Sequence, residues 1–220
     1  MNYQQYRDDM VTAGRRLYER GLLVGTDGNL SIRLSENEIL MSPSGLCKGY
    51  MSPEQLPIVD LDGNMISGDM KPARDIRMHL MVYRLRPDAR AVVHAHPPIT
   101  TGFAIAGLPL DKVTSPEVVF ALGNIKVTEY ATPTTEQVPR VVQKALEESS
   151  DCDALLLANH GALTIGNDVM DAFYKMESLE MFLHATMVAR VLGNENALTD
   201  EQTAEVRLIA AQGRKVPPAF

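Results

Sequence analysis

Apolar side chains near the amino terminus recur every three to four positions, at Tyr6, Met10, Ala13 and Leu17. That spacing predicts an amphipathic helix, with Gly21 as its stop. The pattern then changes. Gly25-Thr26-Asp27-Gly28-Asn29 is a turn cluster, and the short runs LSIRL (30–34), EILMS (38–42) and LPIVDL (56–61) read as strands. Asp62-Gly63-Asn64, between IVDL and MISG, predicts a hairpin turn. Beyond Lys71-Pro72 helical spacing returns over about 74–85, carried by Ile76, Leu80, Val82 and Tyr83. A strand follows at AVVHAH (91–96), a helix at about 98–106, a strand at IKVTEY (125–130) and a helix at about 135–148. The runs ALLLA (154–158) and ALTIG (162–166) predict buried strands. A long helix is expected at about 168–192, with Leu179, Phe182, Leu183 and Met187 on its apolar face. A last helix covers about 200–212, with Thr199 or Asp200 as cap. Strands interleaved with helices, without repeats or a long linker, predict one α/β domain over residues 1–220.

Composition narrows the function classes more than the fold. Of 220 residues, 45% are apolar and 22% charged, enough to bury a sizeable core. The net charge of −7 argues against nucleic acid as the main partner, since phosphate backbones demand a basic surface. A small anion held by a local Arg or Lys cluster stays compatible with it. Cys47 and Cys152 lie far apart and form no C-x-x-C pair, which reads as two free thiols in a reducing compartment. No apolar run approaches the roughly 18 residues of a membrane span, and the polar start MNYQQYRDD has no signal-peptide core. The expectation is a soluble cytoplasmic protein without a membrane partner.

The candidate chemistry begins at Val93-His94-Ala95-His96-Pro97. In a strand, residues i and i+2 face one side, so both imidazoles aim at one locus. His160, in Asn159-His160-Gly161 just past the apolar strand at 154–158, adds a third nitrogen at a strand end, where α/β folds gather ligand-binding groups. Asp75, at the expected helix start, offers a hard oxygen as fourth ligand; its alternative is a first-turn dipole partner. Three imidazoles suit zinc, and cobalt, iron or manganese fit the same set. His79 lies one helical turn after Asp75, either behind the ligands or as a hydrogen-bonded core histidine. His184 reads as structural, on the long amphipathic helix.

With these residues in view, the chain resembles the class II aldolase/adducin family, which includes sugar-phosphate aldolases and 4-epimerases. The resemblance runs over about residues 5–190. It rests on Gly25-x-x-Gly28-Asn29-Leu30-Ser31, Ser42-Pro43-Ser44-Gly45, Lys71-Pro72-x-x-Asp75-x-x-x-His79, Val93-His94-x-His96, Asn124-Ile-x-Val127-x-x-Tyr130 and Asn159-His160-Gly161. It implies a three-layer α/β/α domain with a central, mainly antiparallel or mixed sheet. It also implies a homotetramer, zinc in clefts between subunits, and a small phosphorylated sugar as substrate. Its glycine-rich loops would cradle the phosphate, with Asn29, Ser44 and Gly45 as binding residues and Gly28 permitting the turn.

Two departures shape the expected reaction. Aldolases of the family carry two hydroxyl residues and a Glu where this chain has Ala73, Arg74 and Asp75; Arg74 offers a bidentate fork to phosphate or carboxylate. Asp in place of Glu resembles the epimerase branch. Where several relatives carry a catalytic Tyr, this chain reads Thr114-Ser115-Pro116-Glu117, which makes Glu117, supplied by a neighbouring subunit, the second catalytic candidate. The expectation is a zinc-dependent aldolase, a carbon–carbon lyase that cleaves a small ketose phosphate to dihydroxyacetone phosphate and an aldehyde. The reaction would pass through a metal-stabilised enediolate, with Asp75 moving the proton. A metal-dependent decarboxylase, a sugar-phosphate 4-epimerase, and a non-catalytic adducin-like module are the alternatives.

Overall fold

The computed structural model of the protein describes residues 3–149 and 151–213. The first helix, α1 (Gln4–Glu19), buries Met10, Ala13 and Leu17, the stripe the periodicity picks out. Gly21, with φ +69°, turns the chain into the first strands, β1 (Asn29–Arg33) and β2 (Ile39–Met41). Two 3-10 turns, Lys48–Tyr50 and Pro53–Gln55, lead to β3 (Ile58–Val59) and β4 (Met65–Ser67). The predicted hairpin turn joins these last two. Asp60 fixes it by accepting the Asp62 and Asn64 N–H groups on its carboxylate. Then come α2 (Ile76–Leu85), β5 (Ala91–Ala95) and α3 (Pro98–Ala106).

The second half holds α4 (Pro116–Leu122), β6 (Ile125–Val127), α5 (Gln137–Glu148), β7 (Ala154–Leu157), β8 (Gly161–Gly166), α6 (Val169–Val191) and α7 (Asp200–Gly213). Thr199 caps α7. Its hydroxyl accepts from the Gln202 N–H while the Gln202 side chain accepts from the Thr199 N–H. Two features depart from the sequence reading. The segment at Pro116, to which the hydrophobic pattern assigned no element, is a short helix with Pro at its first position, where a missing N–H is harmless. The strand expected over 125–130 ends at Val127, where pairing with β7 stops.

The eight strands form one mixed sheet in the order β4-β3-β2-β1-β5-β8-β7-β6, antiparallel except for the β6–β7 pair. Side chains alternate across it. Leu30, Ile32, Ala91, Val93, Leu156 and Ala162 pack with α1, α3 and α6, whereas Val92, Leu155, Leu163 and Ile165 pack with α2 and α5. The result is the α/β/α layering that the resemblance implies. No helix among the described residues is long and apolar enough to cross a membrane.

Candidate metal centre

Strand β5 occupies the middle of the sheet, with Val92 facing α2 and α5. His94, two residues on, takes the same side by the period of two, and its antiparallel partners are Asn29 on β1 and Leu163 on β8. Pro97 ends the strand and opens α3, so His96 sits at the strand's end. His160 arrives from the tight turn between β7 and β8. That turn requires Asn159 at φ +58°, a left-handed conformation that Asn tolerates better than most residues. The turn is anchored by the Asn159 N–H on the Ala104 carbonyl and by the His160 N–H on the Leu157 carbonyl.

The three rings meet. Their centroids lie 4.8 Å (His94–His96), 4.8 Å (His94–His160) and 5.0 Å (His96–His160) apart. One ring nitrogen from each falls within 4.8 Å of the others. His94 Nδ1 faces the Ala162 carbonyl at 2.9 Å, and a carbonyl only accepts, so this nitrogen carries the proton. Its Nε2 lone pair therefore points into the cluster, 3.1 Å from His96 Nε2. Burial is the main cause holding all three imidazoles below their ordinary value, His94 furthest; the carboxylates of Asp75 and Asp27 work the other way on His96 and His160. Three neutral imidazoles with converging lone pairs, one oriented by a backbone carbonyl, suit a divalent cation.

Gly161 makes this geometry possible. A Cβ there would lie 2.4 Å from His96 Cδ2 and 2.6 Å from the Ala95 carbonyl oxygen. Gly161→Ala is therefore expected to displace His96 and weaken metal affinity by about 10- to 100-fold, as disturbing a ligand's orientation does. Competition against a chromogenic chelator measures it, and unchanged affinity would contradict the packing argument.

Asp75 stands outside the three-histidine group. It occupies the residue before α2, where an Asp side chain ordinarily accepts a backbone N–H, yet it makes no such cap. Instead Oδ2 accepts from the Asn29 amide at 3.4 Å, and Oδ1 is buried with no hydrogen-bond partner among the described residues. Asp75, His79 and Tyr83 recur every four residues along one face of α2, and Asn29 and Ser31 alternate along β1. Together they form a chain of hydrogen bonds whose direction follows from valence. The carboxylate only accepts, so the Asn29 nitrogen faces it. The Asn29 oxygen then accepts from His79 Nε2 at 2.5 Å, which leaves His79 Nδ1 to accept from Ser31 Oγ at 2.7 Å. Ser31 Oγ in turn accepts from the Tyr83 hydroxyl at 2.8 Å.

Burial pushes the His79 imidazole down to about 3, against an ordinary 6.5. Once pH falls below about 6.5, the unfolded chain binds a proton that folded His79 refuses. The stability this group contributes is complete above that pH and declines by about 1.4 kcal/mol per pH unit down to about pH 3. Urea midpoints of the metal-stripped protein should fall more steeply with acid than those of His79→Gln. Equal slopes would contradict the burial argument.

The remaining sequence candidates separate into near and far. Ser44 and Gly45 lie beside the Asp75 segment, because the Ser44 N–H bonds the Lys71 carbonyl and the Ala73 N–H bonds the Ser42 carbonyl. Gly45 is exposed at φ +73°, with nothing within 4 Å of where a Cβ would sit. Asn29 is 3% exposed, and its side-chain oxygen and amide are engaged by His79 and Asp75. Arg74 is exposed and lines a shallow recess with Asp75 and Thr135. Glu117 lies exposed on the first turn of α4, where the Ser115 hydroxyl donates to it and holds its carboxyl below the usual value. It is not among the carboxylates acting on the histidines. Ser31 and Tyr83 were not among the site residues the sequence singled out, although the four-residue spacing of Asp75, His79 and Tyr83 was an available signal.

The chain is similar to several known proteins. Residues 8–187 match the family model described as the class II aldolase and adducin N-terminal domain. The chain belongs to the class II aldolase/adducin family and has its α/β fold. It is 34% identical to a 3-oxo-tetronate 4-phosphate decarboxylase of Escherichia coli, over 93% of this chain and 96% of that one. It is also 34% identical to a 5-deoxy-D-ribulose 1-phosphate aldolase of Bacillus thuringiensis, over 92% and 93%. The crystal structure of YgbL from Escherichia coli, titled a putative aldolase/epimerase/decarboxylase, superposes with a TM-score of 0.84 at 32% identity. That match covers 94% of this chain and all of YgbL.

Proposed function

We propose that the protein is a metal-dependent carbon–carbon lyase that cleaves a small phosphorylated ketose between the carbons α and β to its carbonyl, in the manner of an aldolase. The observation that carries this reading is the pairing of a three-histidine group with a neighbouring carboxylate that neither caps its helix nor satisfies its Oδ1. His94, His96 and His160 would hold the cation, zinc by the preference of an all-imidazole set, and it would supply Lewis-acid polarisation of the substrate carbonyl.

The chain's own residues account for the rest. Asp75 Oδ1 takes the proton of the hydroxyl whose carbon becomes the aldehyde. Breaking the carbon–carbon bond leaves the electron pair on the carbon beside the ketone, and the same carboxyl returns the proton there. Asn29, fixed from behind by His79, holds Oδ2 so that Oδ1 stays aimed at the substrate. Ser44 and Gly45 bind the phosphate, on an exposed turn where a glycine leaves room for an oxyanion. The chain acts as a cytoplasmic homotetramer in which Glu117 serves a neighbouring subunit's site. The exposure of Glu117 supports this, as do the exposed apolar residues Met181, Val188 and Val191 on α6.

Decarboxylation of a phosphorylated 3-oxo acid is the second reading. Arg74 favours it, as a guanidinium fork directly beside Asp75, and so does the activity named for the Escherichia coli relative. One experiment separates the two. Zinc-loaded protein is incubated with ketose 1-phosphates and with 3-oxo-4-phospho acids, while dihydroxyacetone phosphate and carbon dioxide are measured. Release of dihydroxyacetone phosphate supports the first reading, carbon dioxide the second, and neither product would overturn the lyase proposal.

A further inference from the structure

Lys48 is 3% exposed, and no carboxylate among the described residues lies within ion-pair distance of it. A buried ammonium without a counter-ion is costly unless something answers its charge. Two of its three N–H groups are engaged, by the Thr26 carbonyl at 2.7 Å and the Leu46 carbonyl at 2.8 Å. These carbonyls belong to different loops. Thr26 lies in the turn that leads into Asn29, and Leu46 follows Ser44 and Gly45. One side chain thus ties together the two loops that flank the proposed phosphate position.

The seat of Lys48 is closely packed. A Cβ on Gly14 would come within 2.6 Å of the Lys48 carbonyl oxygen, and a Cβ on Gly49 would strike the Tyr18 side chain at 2.6 Å, so α1 packs directly on this turn. Burial lowers the Lys48 ammonium from its ordinary value, while Cys47, Asp27 and Asp75 act in the opposite direction; its charge therefore falls on the same region as the candidate centre.

We propose that Lys48 is the fixed cation of the anion pocket: it pins the 25–28 and 44–46 loops to each other, and its charge is answered by the substrate's phosphate. This rests on the sugar-phosphate reading above. Lys48 acts as a positioning residue, through the loops and through its field, while Ser44 and Gly45 make the contacts.

Isothermal titration of the metal-loaded protein with inorganic phosphate tests this, using three variants that separate charge from loop pinning. Lys48→Met removes both the charge and the donors. Lys48→Gln keeps two N–H donors on a side chain one bond shorter and removes the charge, and Lys48→Arg keeps the charge. The expected result is a phosphate dissociation constant raised about 10- to 100-fold in the Met and Gln variants. It should return to within a few-fold of wild type in the Arg variant, with metal content unchanged throughout. Wild-type affinity in Lys48→Gln would show that the charge is not used and overturn the inference, leaving the sugar-phosphate reading intact. Should Lys48→Met fail to fold, the Gln and Arg pair decides alone. A wild-type protein that does not bind phosphate would remove both the inference and the reading it rests on.

Discussion

Asp75→Asn is expected to leave the protein folded and metal-loaded while lowering kcat/KM by about 10²- to 10⁴-fold, the range a general acid–base group contributes. The substitution is nearly isosteric, so the buried neighbours in sequence, Ala73 and Met78, need not move. What changes is chemical. An amide cannot accept a proton from a substrate hydroxyl, and if its nitrogen faces Asn29 it also sets donor against donor. The three histidines do not depend on this carboxylate for their mutual geometry: His94 is held by the Ala162 carbonyl and His160 by its turn. Metal content by atomic emission and steady-state kinetics on the same preparation separate the two effects. Turnover within a few-fold of wild type would contradict the role given to Asp75. Loss of metal along with turnover would make it a ligand as well as a base.

His94→Ala carries the second large effect. Of the three histidines it is the most buried, fully enclosed at the centre of the sheet between Asn29 and Leu163. Removing it deletes one nitrogen of three and the hydrogen bond to the Ala162 carbonyl that oriented the ring. Affinity for zinc should fall by at least about 10³-fold, more than the loss typical of an outer partner, and activity should fall with it. His160→Ala should follow the same course with less damage to folding, since that ring is only partly buried at the end of a turn. Chelator competition and thermal denaturation of both variants measure these effects. Wild-type metal affinity in either would remove that histidine from the centre.

Much of this was legible in the sequence because it depends on local periodicity. The i, i+2 spacing of His94 and His96 on a strand fixes their common side wherever the strand lies, and structure brought His160 to meet them. The layered α/β architecture followed from alternating strand and helix patterns in the same way. What was not legible depends on neighbours distant in the chain. The Asn29 side chain, expected on a phosphate, is drawn to Asp75 and His79 because β1 lies against α2, a pairing no local pattern encodes. No sequence pattern singles out Lys48, and only its burial between two loops gives it a part. Helix α4 was missed because a seven-residue helix opening at Ser-Pro offers barely two turns of apolar spacing. The parallel pairing of β6 with β7 was likewise beyond reach, since strand order is set by the whole sheet.

Stripping and restoring the metal tests whether the protein is a carbon–carbon lyase that works through a cation on His94, His96 and His160. The protein is dialysed against a strong chelator and then titrated with zinc while cleavage of its best phosphorylated substrate is followed. Cleavage is expected to disappear with the metal and to return in proportion to zinc, saturating near one equivalent per chain. Undiminished cleavage by the stripped protein would contradict this expectation.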